Sequence, residues 1–355
     1  MSMMNLRRLG LPSARSASLP LLAAAAIAVG AAVPAAVALP AAAAQPSTGP
    51  TQPGKIDLRP KFRRGQQTRY TMTIDSVTDV KSPQLPELDQ KQEIRQQIDL
   101  LMRVVEAGTD GATIELVYER VRVSFESDAF SAEYDSARAP RSKPPAKGNP
   151  KNPKSPPGNA EPGDSPLPGD PTNILNMTDD EFFAQAMQGI AGTVLTIELD
   201  ASGNILSVHG AGSLVPGGGI PAIGGPAGGA WIVSSPGQSG FASVGETWST
   251  TSTLGNTPLG NFKMVTNYTL RSAAGGKAVI GISGGIEAGS AADKPGHGGA
   301  AQIRDSKYSG TCTWDLGSGQ LRELRTSQSA TIEGASMGVP MTMRSSTDMT
   351  VRRAN

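Results

Sequence analysis

Along most of the chain, apolar and polar residues alternate with a period of two, the mark of β-strands that bury one face. Tyr70, Met72 and Ile74 take every second place, and Ile98, Leu100, Met102 and Val104 do so again. A Gly108 to Gly111 turn leads into 113–125, where the apolar set moves from Ile114 and Leu116 to Val121, Val123 and Phe125. That change of parity predicts a β-bulge. In the second half Phe262, Met264, Tyr268 and Leu270 alternate with Lys263, Val265, Asn267 and Thr269, and a Gly275-Gly276 turn opens the strand at 278–286. The last strand is the clearest. Met341, Met343, Met349 and Val351 face one way, and Arg344, Asp348, Thr350 and Arg352 the other. These patterns predict a mainly β protein of antiparallel sheets, each with one buried and one wet face, forming a sandwich or a half-open barrel.

A single segment changes to a helical period. Thr178 is placed as an N-cap, Glu181 completes a capping box, and Phe182, Phe183, Ala186, Met187 and Ile190 recur at helical spacing, which predicts a short helix at about 178–191. The acidic run Asp179, Asp180 and Glu181 fits the helix N-terminus and needs no metal to explain it. Two hairpin turns, 199–206 and 314–321, both carry Asp at the entry (Asp200, Asp315) and Gly at a later turn position (Gly203, Gly319). Asp200 with Asn204 lacks the downstream glutamate of a calcium loop.

The two halves are alike in outline. Gly65 and Gly245 each lead a strand, alternating strands and a glycine turn follow, and the pairs Tyr134-Asp135 and Trp314-Asp315 each end a strand. Two similar β units, 55–138 and 240–353, are therefore expected to pack into one body spanning 55–353. Between them lie a Pro-rich insertion at 139–171 and a Gly-rich loop at 210–229, neither able to build a regular core element.

The N-terminus adds a destination. Arg7, Arg8 and Arg15 precede an apolar stretch from Leu19 to Leu39, broken by Pro34 and Pro40, and Ala41 to Ala44 stand before Gln45. This is the pattern of an export signal over 1–44, with a disordered stretch at 45–54 and a periplasmic or secreted product. Membrane contact is expected only if the signal segment is retained.

Charge and chemistry narrow the field. Lys plus Arg number 32 against 31 Asp plus Glu, so bulk attraction to nucleic acid is not expected. The single cysteine, Cys312, excludes an intrachain disulfide and reads as a small buried hydrophobe. His209 and His297 are not at metal-ligand spacing, and no metal or cofactor is expected. Gly275-Gly276-Lys277 lacks both the upstream glycine and the following Ser or Thr of a phosphate loop. The run 334–338 matches G-x-S-x-G around Ser336, but an alternating strand follows it and both histidines lie upstream, which speaks against a nucleophile elbow.

At 59–65 (Arg-Pro-Lys-Phe-Arg-Arg-Gly), at 130–136 and at 195–210, the chain resembles an uncharacterised family of exported bacterial proteins, a domain of unknown function. The resemblance covers most of 55–353, with the Pro-rich stretch as an insertion. It implies an exported or lipid-anchored protein with no assigned catalytic residues, although this chain lacks a lipid-accepting cysteine at the end of its signal. The expectation is thus a non-catalytic binding or interaction module of the cell envelope, with an unknown envelope partner. The alternative is a carrier of a lipid or other hydrophobe contacted by Phe182, Phe183, Met341, Met343 and Met349, and a hydrolase stands third. A close-packed methionine face would favour the module, an open cavity the carrier, and converging carboxylates the hydrolase.

Overall fold

The computed structural model describes residues 54–128, 131–138, 187, 190–210, 232, 236, 240–257, 260–288, 302–336 and 339–354. Fourteen strands run in order: β1 (Ile56–Asp57), β2 (Gln67–Lys81), β3 (Gln90–Ala107), β4 (Gly111–Ser127), β5 (Ser131–Asp135), β6 (Val194–Asp200) and β7 (Ile205–His209) come first. Then follow β8 (Phe241–Ala242), β9 (Thr247–Thr257), β10 (Gly260–Ala274), β11 (Lys277–Ala288), β12 (Gln302–Asp315), β13 (Gln320–Ser336) and β14 (Val339–Arg353). The expected antiparallel β architecture is present. The helix expected at about 178–191 falls largely outside the described residues, as do the signal segment, the Pro-rich insertion and nearly all of the Gly-rich loop. Of that span Met187, Ile190 and Ala191 are described; Met187 and Ile190 are buried in the core, and Ala191, half-buried, packs against it.

All but β1 and β8 belong to one 12-stranded antiparallel sheet, in the order β7-β6-β4-β3-β2-β14-β13-β12-β11-β10-β9, with β5 paired beside β6 along the other half of β4. The first long strand meets the last: Met72 stands opposite Val351 and Ile74 opposite Met349. The sheet is left open between β7 and β9, which follow one another in the large sheet along the chain.

Strand parity sets the two faces. β14 alternates buried and exposed residues from Met343 to Arg352. In β4 the predicted parity change is found: Asp99 opposes Arg120 and Leu100 opposes Tyr118, so Glu119 is the extra residue of a bulge that keeps both apolar sets inward. Curling brings backbones close on the inward side. A Cβ on Gly310 would stand 2.4 Å from the carbonyl oxygen of Arg325 on the next strand, so only glycine fits there. Most buried apolar residues of the long strands join in one cluster with Leu58, Met187, Ile190 and Ile232, whereas Val80, Ala330, Ile332 and Met343, at the far end of β2, β13 and β14, are buried outside it.

One end of this curled sheet is capped. β1 pairs with β8 (Ile56 opposite Ala242), and Leu58 behind it is fully buried. Arg59 binds Asp57 through Nε (3.0 Å) and Nη2 (3.3 Å) and lies 4.4 Å over the Phe241 ring. The two Asp-led turns share one design. The Asp200 carboxylate accepts from the Ser202 and Asn204 amides (both 2.8 Å), and Asp315 accepts from those of Gly317 (3.0 Å) and Ser318 (2.9 Å). Lys61 donates to the Leu316 carbonyl at 2.7 Å, tying the N-terminal segment to the second turn. Inside this end Tyr70, Tyr118 and Trp314 fill the space.

Candidate ligand-binding site

Above the capped end, the inward face changes composition, and the strand register shows how. Gln96 of β3 stands beside Ile74, Met349 and Thr326 on β2, β14 and β13. The next inward row runs Ile94, Ser76, Thr347, Gln328 and Tyr308. The row beyond runs Gln92, Thr78, Ser345 and Ala330. A belt of amides and hydroxyls thus crosses four adjacent strands, set among Met343, Met349, Ile74, Ile94 and Ile332.

The belt is deeply buried: Gln92 and Gln96 are each 2% exposed, Thr347 4%, and Gln328 and Ser345 5%. Some of its groups pair with one another. Ser76 Oγ and Thr347 Oγ1 lie 3.0 Å apart. Tyr308 bonds Thr326, and burial pushes its phenol well above the usual range. Others have no partner among the described residues: Gln92 Nε2, both ends of the Gln96 amide, Gln328 Nε2, Ser345 Oγ and, on β10, Thr266 Oγ1. Leaving such a group dry and unpaired costs about 1–3 kcal/mol. Three other unpaired atoms, Tyr70 Oη, Trp314 Nε1 and Gln320 Nε2, belong to the capped end. There the polar atom is the tip of a large ring, or of an amide whose oxygen already accepts from Thr68.

Among the described residues no charge faces this belt from its own rows. The cation Arg353, opposite Tyr70, sits two inward rows below Gln96, where Asp315 holds it at 3.1 Å. Charges collect on the outward face instead. Glu323 takes both Arg325 (2.8 Å) and Arg352 (2.7 Å), Arg69 pairs Glu119 (3.0 Å), and an open depression of about 290 Å3 lies among Asp79, Arg344 and Asp305. A charged exterior around an apolar interior is the reverse of the polarity of a barrel that spans a membrane.

Of the residues singled out from sequence, Met343 and Met349 lie buried at the belt, and Met341 is half-buried near the β13–β14 turn, opposite Gly334. Phe182 and Phe183 lie outside the described residues. Cys312 sits in the apolar half, where burial pushes its thiol up to about 12. Ser336 lies in strand β13 opposite Val339, on a hairpin rather than a strand-to-helix elbow. At the sheet edge Ser207 Oγ donates to Glu198 (2.8 Å) and lies 3.1 Å from His209 Nε2. The carboxylate there contacts the serine and not the imidazole, so it does not orient a base as a catalytic triad requires. Among the described residues no three His, Cys, Asp or Glu side chains gather where they would hold a metal ion.

No family model and no curated protein matches this chain. Solved structures that align with it include lipovitellin, in a study of lipid–protein interactions, at 9% identity and TM-score 0.37 over 83% of this chain and 25% of that one. An outer membrane channel from Pseudomonas putida F1 aligns at 10% identity and TM-score 0.21, over 83% of this chain and 98% of that one. This chain spans a quarter of the lipovitellin chain it aligns with. Neither likeness reaches a score that bears on function.

The belt itself went unnoticed in the sequence. Its signal was present on β14, where Ser345 and Thr347 share the parity of Met343 and Met349 and so had to face inward with them.

Proposed function

We propose that this protein is an exported, non-catalytic carrier that takes a hydrophobic guest between the walls of its curled sheet. The observation that carries this reading is the set of buried, unpaired amide and hydroxyl groups on an otherwise apolar inward face. The buried Met343 and Met349 by themselves meet the expectation for the module, so the carrier reading rests on the amides beside them. Methionines beside unsatisfied amides describe a lining that is completed by something it binds. The open seam between β7 and β9 favours the same reading, because an unclosed sheet can part without breaking a ladder of hydrogen bonds. Native mass spectrometry of the chain purified from its own host, followed by organic extraction, tests it. A defined hydrophobe of stoichiometric mass is expected; a clean apo mass from material never exposed to detergent would overturn the reading.

A second reading, an interaction module, has its own observation. β7 is a sheet edge whose Leu206 is 55% exposed. A partner adding a strand there would pair the free backbone groups and cover that side chain. Replacing Leu206 by Lys would abolish such an association while leaving extraction of a hydrophobe unchanged.

A further inference from the structure

The geometry points to a guest with an uncharged hydrogen-bonding head group, a neutral lipid of the alcohol or ester class, seated on Gln92, Gln96, Gln328 and Ser345. This inference rests on the carrier reading and sharpens it. The unpaired atoms supply both senses of hydrogen bond: the three glutamine Nε2 groups donate, Gln96 Oε1 accepts, and Ser345 Oγ does either. Each of these side chains is more than nine-tenths buried. A hydroxyl or ester oxygen placed among them accepts from the amides, and a hydroxyl proton finds Gln96 Oε1.

A carboxylate or phosphate would meet a different reception. The inward rows that hold the belt contain glutamine, serine, threonine, tyrosine and apolar residues, and the cations of the same strands, such as Arg95, Arg325 and Arg344, have the opposite parity. The inward cation Arg353 lies at the capped end and is already held by Asp315. Among the described residues an anionic head group there would find no counter-ion, and an unpaired buried charge is strongly unfavourable. The hydrocarbon part has its own place against Ile332 and the flexible thioethers of Met343 and Met349, which adapt to a chain of variable shape.

Displacement of Nile red from the delipidated full chain by hexadecane, hexadecanol and palmitic acid at neutral pH separates the outcomes, since the three share one chain length. Hexadecanol is expected to bind about tenfold more tightly than hexadecane, the worth of one or two net hydrogen bonds, and at least as far ahead of ionised palmitate. The double variant Gln92→Leu/Gln96→Leu is expected to bring hexadecanol down to the level of hexadecane while leaving hexadecane unchanged. Gln328→Leu, on a different strand, provides an independent check, each variant being confirmed as folded by circular dichroism. Palmitate binding as tightly as hexadecanol, or variants that keep the preference, would overturn the head-group assignment and leave the carrier reading standing. Failure of all three guests and of Nile red to bind would overturn the carrier reading itself.

Discussion

The capped half of the sheet and the belt half above it share strands, register and burial, yet they are built from different materials. Below, Tyr70, Tyr118, Trp314, Leu100 and Val351 fill space with rigid rings and branched chains, and the end is closed by β1, β8 and two Asp-anchored turns. Above, the same inward parity carries Gln92, Gln96, Gln328, Ser345 and Thr347, while methionine occurs in both halves, as Met72 and Met102 below and Met343 and Met349 above. Close-packed rings specify one structure, whereas half-satisfied amides specify a lining. The contrast assigns stability to the lower half and recognition to the upper.

The strongest way to break that division is at the cap. Trp314→Ala removes a fully buried ring and is expected to cost about 3–5 kcal/mol, read as a lower urea midpoint. A loss below about 1 kcal/mol would mean that the lower half does not carry the fold. Asp315→Ala comes next, because one carboxylate serves two turn amides and Arg353. Its loss is expected to cost about 1–3 kcal/mol in the same titration. The upper half should respond with the opposite sign. Gln96→Leu exchanges an unpaired buried amide for a side chain of similar size, and the apo protein is expected to gain about 1 kcal/mol, seen as a higher Tm. A destabilised Gln96→Leu would show that the amide has a partner and that the belt is ordinary core.

Alkaline pH probes the lower half through Cys312. Its thiol is held neutral by burial, pushed up to about 12 from a thiol's ordinary range, so the unfolded chain gives up its proton first. The thiol's contribution is thus complete below about pH 9 and is lost as pH rises from there towards 12. Tm is expected to fall over that window, and less steeply in Cys312→Ala. The smallest effect belongs to the outward face. Glu323→Gln loosens exposed pairs with Arg325 and Arg352 and is expected to move stability by no more than about 0.5 kcal/mol. A larger shift would move part of the stabilising role to the exterior.

How far each half could be read from sequence follows from its chemistry. The lower half announced itself through strict alternation, as in Ile98, Leu100, Met102 and Val104, and through turn residues whose roles are local, Gly108 to Gly111, Asp200 and Asp315. The bulge at Glu119 was legible for the same reason, since a parity change is written in the chain. The upper half hid because glutamine does not declare a face. In 90–97 (Gln-Lys-Gln-Glu-Ile-Arg-Gln-Gln) both parities are almost wholly polar, and only the pairing with β2 turns Gln92 and Gln96 inward. Strand order was also beyond reach, because the meeting of β2 with β14 and the seam between β7 and β9 are pairings between distant segments with no local mark.

The union of first and last long strands also governs when this protein can fold. The Ser76–Thr347 hydrogen bond closes a loop of 271 residues, and every rung of the β2–β14 ladder is similarly remote. Until β14 is available, β2 lacks one neighbour and the sheet is two separate meanders with raw inner edges. Completion therefore waits on a remote pairing and is slow by topology. A chain that cannot finish early keeps the open edges of β2 and β13 exposed to wrong partners for longer.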